Sequence, residues 1–160
     1  MEQIIEILEK DARLTPEDIS KMINKSPDFV RRKIKELERK GLILGYKAII
    51  NKELLKREEI VEALIEVKVV PQKDVGFDKI AERIYRFKEV KSCFLVSGTY
   101  DLLLIVEGRS IHTIADFVAE KLAPLEEVKG TVTHFLLKRY KEDGVILIKP
   151  KQAKRLAISF

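Results

Sequence analysis

The sequence predicts an α+β chain: a helical first third followed by a βαββαβ remainder. Three observations carry that expectation. Apolar residues recur at helical spacing up to about Asn51, and the rhythm changes to strict alternation from Ile60. Two hydroxyl–proline pairs, Thr15-Pro16 and Ser26-Pro27, punctuate the first part as helix starts.

Ile4, Ile5 and Leu8 form the apolar stripe of a first helix that ends near Asp11-Ala12-Arg13. Thr15-Pro16-Glu17-Asp18 opens a second, with a hydroxyl cap, proline at the first helical position and acids in the first turn. Ile19, Met22 and Ile23 are expected on its buried side. Ser26-Pro27 repeats the device for a third helix, which stops at Lys40-Gly41, where glycine can take the left-handed cap conformation. LILGYKAII, residues 42–50, clusters apolar residues around Gly45 and suits a short hairpin or a linking strand.

In IVEALIEVKVV, Val61, Ala63, Ile65, Val67 and Val69 share one face, and Glu62, Glu66 and Lys68 share the other. That is a half-buried strand. Phe77, Ile80, Ala81, Ile84 and Phe87 return to helical spacing. SCFLVSG and DLLLIVEG are two strands around Gly98-Thr99-Tyr100, and Ile111, Ile114, Ala115, Val118 and Leu122 mark a helix halted by Pro124. VTHFLLKRY closes a ferredoxin-like βαββαβ unit. Leu64, Phe94 and Val96 then point away from the helices, onto a face that needs cover, and a homodimer made by sheet-to-sheet contact is expected. VILI, 145–148, offers an edge strand, and KPKQAKRLAISF is a basic tail with an apolar end.

Composition sets limits. The chain has 160 residues, 46% of them hydrophobic, enough for one good core or two small ones. Its net charge of +5 permits a nucleic-acid partner without requiring one. Cys93 is the sole cysteine, which excludes an intrachain disulfide and a cysteine metal cage. The start, MEQIIEILEK, lacks the cationic lead-in of a secretory signal, and LLLIV at 102–106 is far too short to span a bilayer. The cytoplasm is the expected location, with no membrane partner and no cofactor.

The third helix carries the sharpest signal. With Val30 at zero and about 100° per residue, Val30, Ile34 and Leu37 make one narrow inward stripe. Asp28, Arg32, Lys35 and Arg39 fall opposite, with Phe29, Arg31 and Lys33 on the flanks. Three helices, a tight turn between the last two and a short hairpin make a winged helix-turn-helix, whose third helix enters the major groove of double-stranded DNA. Asp28, Phe29, Arg31, Arg32 and Lys33 are candidates for base or near-base contact, and Lys35, Arg39 and Lys40 for phosphate. Ser26, at the helix cap, belongs to the same set. The competing reading is a solvated face with Asp28–Arg32 and Arg32–Glu36 pairs, worth roughly 0.2–0.5 kcal/mol each. Such pairs do not explain why Arg31 and Lys33 flank Arg32. The resulting division is 1–45 for the DNA-binding unit, 46–58 for a linker strand, 59–141 for the ferredoxin-like unit and 142–160 for the tail.

SPDFVRRKIKELERKGLILGYKAIIN resembles the signature of the leucine-responsive and asparagine-synthetase regulators (Lrp/AsnC, the feast/famine family). Ser26, Val30, Arg32, Ile34, Leu37-Glu38, Gly41-Leu42-Ile43 and Gly45-Tyr46 carry the likeness. VEALIEVKV, VSGTYDLLLIVEG and VKGTVTHFLLK resemble, in order, the family's ligand-sensing domain. Departures are Asn24-Lys25 where the family turn has glycine and an aliphatic residue, Thr99 where it has aspartate, a shortened opening motif before the second helix, and a longer tail.

The resemblance implies a transcriptional regulator that senses an amino acid or related small effector through Gly98, Thr99, Tyr100 and Asp101, with Thr131 and Thr133 near the same site. It implies a homodimer assembling to an octamer, an effector acting by shifting that assembly, and a palindromic operator. The bland alternative makes GTYD a tight turn and the threonines ordinary strand residues. Two rivals differ in class. One is an enzyme like the sirohaem decarboxylases that resemble this family, but His112 and His134 are isolated, without carboxylates at metal-ligand spacing. The other is a scaffold whose winged unit binds protein.

Overall fold

A computed structural model describes residues 2–55, 60–70 and 76–148, so the basic tail from Lys149 lies outside the described residues. The chain divides into two compact units that meet between Ile50 and Asn51.

The first unit holds three helices: α1 (Glu2–Lys10), α2 (Pro16–Ile23) and α3 (Pro27–Arg39). Thr15 caps α2 in a complete capping box. Its hydroxyl accepts from the Asp18 N–H at 3.2 Å, and the Asp18 carboxylate accepts from the Thr15 N–H at 3.1 Å. Ile4, Leu8, Ile19, Val30 and Leu37 form the core, with Phe29, Ile34 and Ile43 packed against it. Met22, expected inside, is exposed. The buried side of α2 runs through Ile19, Ile23 and Ser20, and at about 100° per residue Met22 falls on the far side of Ile19. Asn24 closes α2 in the left-handed region at φ 53°, so the turn to α3 forms without glycine.

The end of α3 is a Schellman motif. The Leu42 N–H donates to the Leu37 carbonyl at 2.9 Å and the Gly41 N–H to that of Glu38 at 3.0 Å, with Gly41 at φ +69°. The hairpin or linking strand expected at 42–50 does not form, and no described residue of 43–55 is a strand. A strand needs a ladder partner, and both sheets are built from residues 61–146. Leu44, 93% exposed, and the exposed Tyr46 and Ile50 show how little of this segment packs within one chain. Tyr46 ties it back to α3, donating its hydroxyl to Glu38 Oε1 at 3.0 Å.

The second unit has β1 (Val61–Val69), α4 (Phe77–Tyr85), β2 (Val90–Leu95), β3 (Leu102–Gly108), α5 (Ile111–Phe117) continued by a π turn (Val118–Leu122), and β4 (Val128–Phe135). The antiparallel sheet has order β2-β3-β1-β4, as a split βαβ requires. Ala63, Ile65, Val67 and Val69 face Ile80, Ile84, Ile114 and Phe117 of the helices, joined by Leu102, Leu104 and Val106. The other face has no helix packed over it among the described residues. Leu64 pairs with Ile105 there, and Phe94 and Val132 are about half exposed.

VILI does not extend this sheet. Lys141–Glu142 (β5) and Val145–Ile146 (β6) pair with each other instead. Asp143 and Gly144 between them sit at φ 43° and 83°, the two positive angles of a type I′ turn, which returns the chain onto itself.

Candidate nucleic-acid interface and effector site

The exposed side of α3 is sorted by its ion pairs. Ser26 caps the helix, its hydroxyl accepting from the Phe29 N–H at 3.2 Å. Phe29 packs on the core instead of standing free. Arg31 is held by Asp28 at 2.7 Å and by Glu17 of α2, which braces the two helices. Lys33 and Lys40 each lie 2.7 Å from Glu36, and the two ammonium groups, Lys33 foremost, hold that carboxyl down from 4.5 to about 2.

The Asp28–Arg32 and Arg32–Glu36 pairs of the competing, solvated-face reading do not form. Each acid has taken another cation of the helix, Arg31 for Asp28, and Lys33 and Lys40 for Glu36. Arg32, Lys35 and Arg39 are exposed and have no ion pair among the described residues. They lie at about 200°, 140° and 180° from Val30, a stripe roughly 10 Å long opposite the buried edge. A major groove about 12 Å wide admits such a helix. Thus the structure brings Arg32, Lys35 and Arg39 together as unneutralised charge, and gives Ser26, Asp28, Phe29, Arg31 and Lys33 internal work.

The sensing candidates lie around one residue of β1. The Asp101 N–H donates to the Val67 carbonyl at 3.1 Å, and Asp101 Oδ2 accepts from the Val69 N–H at 2.9 Å. Gly98 adopts φ +142°, a conformation L side chains rarely take, so GTYD is a shaped turn. Thr131 pairs with Val67 from the other side, and Thr133 with Ile65. Loop and threonines are thus separated by β1, two strand spacings or about 10 Å apart.

Sequence reasoning missed a cluster at the opposite end of β1. Glu62, buried, binds Lys52 and Arg139, while Lys52 also reaches Glu107 at 2.7 Å. Arg139 also binds Glu142 at 2.5 Å. Separations of 10 and 77 residues leave no local signal of it. The only hint was an acid beside a buried face. No group of three His, Cys, Asp or Glu could hold a metal among the described residues. His134 meets Glu66 at 3.1 Å on the open sheet face. Burial pushes the Cys93 thiol up, which makes it a poor nucleophile.

A helix-turn-helix with an unpaired cationic stripe, joined to an antiparallel sheet covered by helices on one face, defines a DNA-binding protein with an appended sensory unit. Comparison with known proteins agrees. Residues 2–43 match the winged helix-turn-helix DNA-binding model and residues 62–146 the Lrp/AsnC ligand binding domain. The uncharacterized HTH-type transcriptional regulator YugG of Bacillus subtilis is 43% identical over 157 residues, 98% of this chain and 95% of that protein. The leucine-responsive regulatory protein of Haemophilus influenzae is 28% identical, covering 92% and 87%. A transcriptional regulator of Neisseria meningitidis, solved as its L-Met complex, superposes with a TM-score of 0.68 at 27% identity, covering 88% and 89%. This chain belongs to the Lrp/AsnC family of transcriptional regulators. The family and these relatives are regulators, and the enzyme reading is set aside.

Proposed function

We propose that this regulator binds a palindromic operator as a homodimer, laying α3 in the major groove so that Arg32 reaches base edges while Lys35 and Arg39 meet phosphate. The observation that carries the reading is the pairing pattern on α3. Every acid there is engaged by another residue, yet three exposed cations opposite the core have no partner among the described residues. Two recognition helices in a dimer would read half-sites roughly 34–36 Å apart or multiples of that.

The open sheet face, with Leu64, Phe94, Ile105 and Val132, supports pairing between copies, and higher assembly to an octamer extends it. The effector is an amino acid or close relative, held near Gly98, Thr99, Tyr100 and Asp101 with Thr131 and Thr133 across β1. The L-Met complex of the Neisseria meningitidis relative supports that chemical class. Such a ligand acts only through a difference in affinity between assembly states. The working location is the cytoplasm, in keeping with the absence of any helix long and apolar enough to cross a membrane among the described residues. The division into 1–45, 46–58, 59–141 and 142–160 remains our working assignment.

The test is selection of bound genomic fragments, with and without a panel of amino acids, followed by a shift assay. Recovery of a two-fold symmetric sequence whose binding Arg32→Glu abolishes is expected. Equal retention of all fragments, or an Arg32→Glu chain that binds like the parent, would refute the reading.

A further inference from the structure

After β4 the chain stays against the sheet. The Leu136 N–H donates to the Glu62 carbonyl at 2.9 Å, and the Tyr140 carbonyl accepts from the Leu147 N–H at 3.0 Å. Between them Arg139 is bound by the buried Glu62 and by Glu142. Residues 136–140 are thus held at both ends and near the middle, and with the open sheet face they enclose a cavity of about 460 Å³. Its apolar walls are Leu64 and Ile105, cross-strand partners on β1 and β3, together with Leu136 and Tyr140. Every residue of the lining belongs to the second unit. Leu64 and Ile105 also belong to the face proposed for pairing between copies. The cavity takes the end of that face beside Glu62, whereas Phe94 and Val132 lie one register row further, level with Glu66 and Leu103.

The charges around the cavity do not cancel. Lys52, Lys91 and Arg139 meet Glu62, Glu107 and Glu142, three cations with three acids. Lys138 and Lys141 are left over. Both line the cavity, both are exposed, and neither has an ion pair among the described residues. The Lys138 ammonium stands over the Tyr140 ring, 5.4 Å from its centroid. Glu62, the one acid of the lining, is already taken by Lys52 and Arg139. A hollow of this size with apolar walls suits a small molecule. Two unpaired ammonium groups suit a carboxylate, and a ligand ammonium would bring like charge with no free acid to meet it. We propose that this cavity binds a small carboxylate with an aromatic or branched apolar body and no ammonium group, its carboxylate between Lys138 and Lys141 and its body over Leu64 and Ile105. That class differs from the amino acid proposed for the GTYD turn, and the site depends on neither the α3 reading nor the effector reading.

The test is calorimetric titration of the full chain with 3-phenylpropanoate, its neutral amide 3-phenylpropanamide, and 3-phenylpropanoate again in the presence of excess L-phenylalanine. The carboxylate should bind, the amide about tenfold or more weakly, since a charge-assisted hydrogen bond is lost. L-Phenylalanine should leave the carboxylate titration unchanged. A chain carrying Lys138→Gln with Lys141→Gln should lose affinity by about tenfold or more, while Lys138→Arg with Lys141→Arg retains it. Both pairs are exposed, so a circular dichroism spectrum matching the parent is expected for each. Absence of carboxylate binding, equal binding of the amide, or parental affinity in the glutamine chain would overturn the proposal. Displacement by L-phenylalanine would overturn it too, by assigning the carboxylate to an amino-acid site.

Discussion

The Lys33 ammonium lies 2.7 Å from the Glu36 carboxylate, one helical turn along α3, while its neighbour Arg32 is exposed with no ion pair among the described residues. Two adjacent cations of one recognition helix thus have opposite standing, which makes their substitution a sharp comparison. Arg32→Ala should weaken operator binding by about 1–3 kcal/mol, roughly five- to 150-fold, and relax preference at one base position. Lys33→Ala should change it far less. Anisotropy titration of both chains checks the difference, and equal losses would contradict the pairing pattern.

Lys35 and Arg39 lie along the same stripe and are assigned to phosphate. Replacing each by alanine should lower binding to all duplexes alike and reduce the salt slope by about 0.9 per residue. A variant that loses affinity for one duplex only would place its side chain on a base instead.

Acid should loosen α3 through Glu36. Lys33 and then Lys40 depress its carboxyl from 4.5 to about 2, so the folded state binds this proton less readily than the unfolded chain. The stability it contributes is present above pH 4.5 and disappears as pH falls towards 2. Thermal melts across that interval should show a steeper decline for the parent than for Glu36→Gln. Parallel curves would mean the lysines do not act on it.

Glu62 is buried and engaged by two cations, whereas Glu66 on the same strand face is part-exposed and, among the described residues, pairs with His134. Glu62→Ala should cost about 1–3 kcal/mol by removing the buried acceptor that Lys52 and Arg139 share, although each keeps a second acid, Glu107 and Glu142, with Glu66→Ala below about 1 kcal/mol. Urea midpoints at neutral pH measure both.

Phe94 and Val132 are exposed on the uncovered sheet face. Introducing Phe94→Glu with Val132→Glu places like charges on the proposed contact between copies and should leave a folded chain that sediments as a monomer. Retention of the parental oligomer would move the interface elsewhere. A circular dichroism spectrum matching the parent separates this outcome from unfolding.

Much of the architecture was legible because local rules and global packing agree. Thr15 and Ser26 cap helices where hydroxyl-then-proline predicted them, and Gly41 ends α3 in the left-handed conformation. The alternation in β1 put Ala63, Ile65, Val67 and Val69 inside as read. Three readings went differently, each because the deciding partner is remote or unexpected. Residues 42–50 form no strand without a ladder partner, Met22 sits beyond the edge of its buried face, and Asp143-Gly144 folds Val145 and Ile146 back onto Lys141 and Glu142. That last turn carries a two-residue Asp-Gly hairpin signal at Asp143-Gly144.

The sequence by itself determined the periodicities, the caps and the cationic content of α3, since each depends on spacing within a few turns. Only the folded structure decided which of those cations have no ion pair among the described residues, because Glu17 of another helix takes Arg31 and Glu36, within reach of several cations of its own helix, goes to Lys33 and Lys40. It alone also joined Asn51 to Leu147 and Lys52 to Glu62 and Arg139, contacts between segments far apart in the chain that no local pattern encodes.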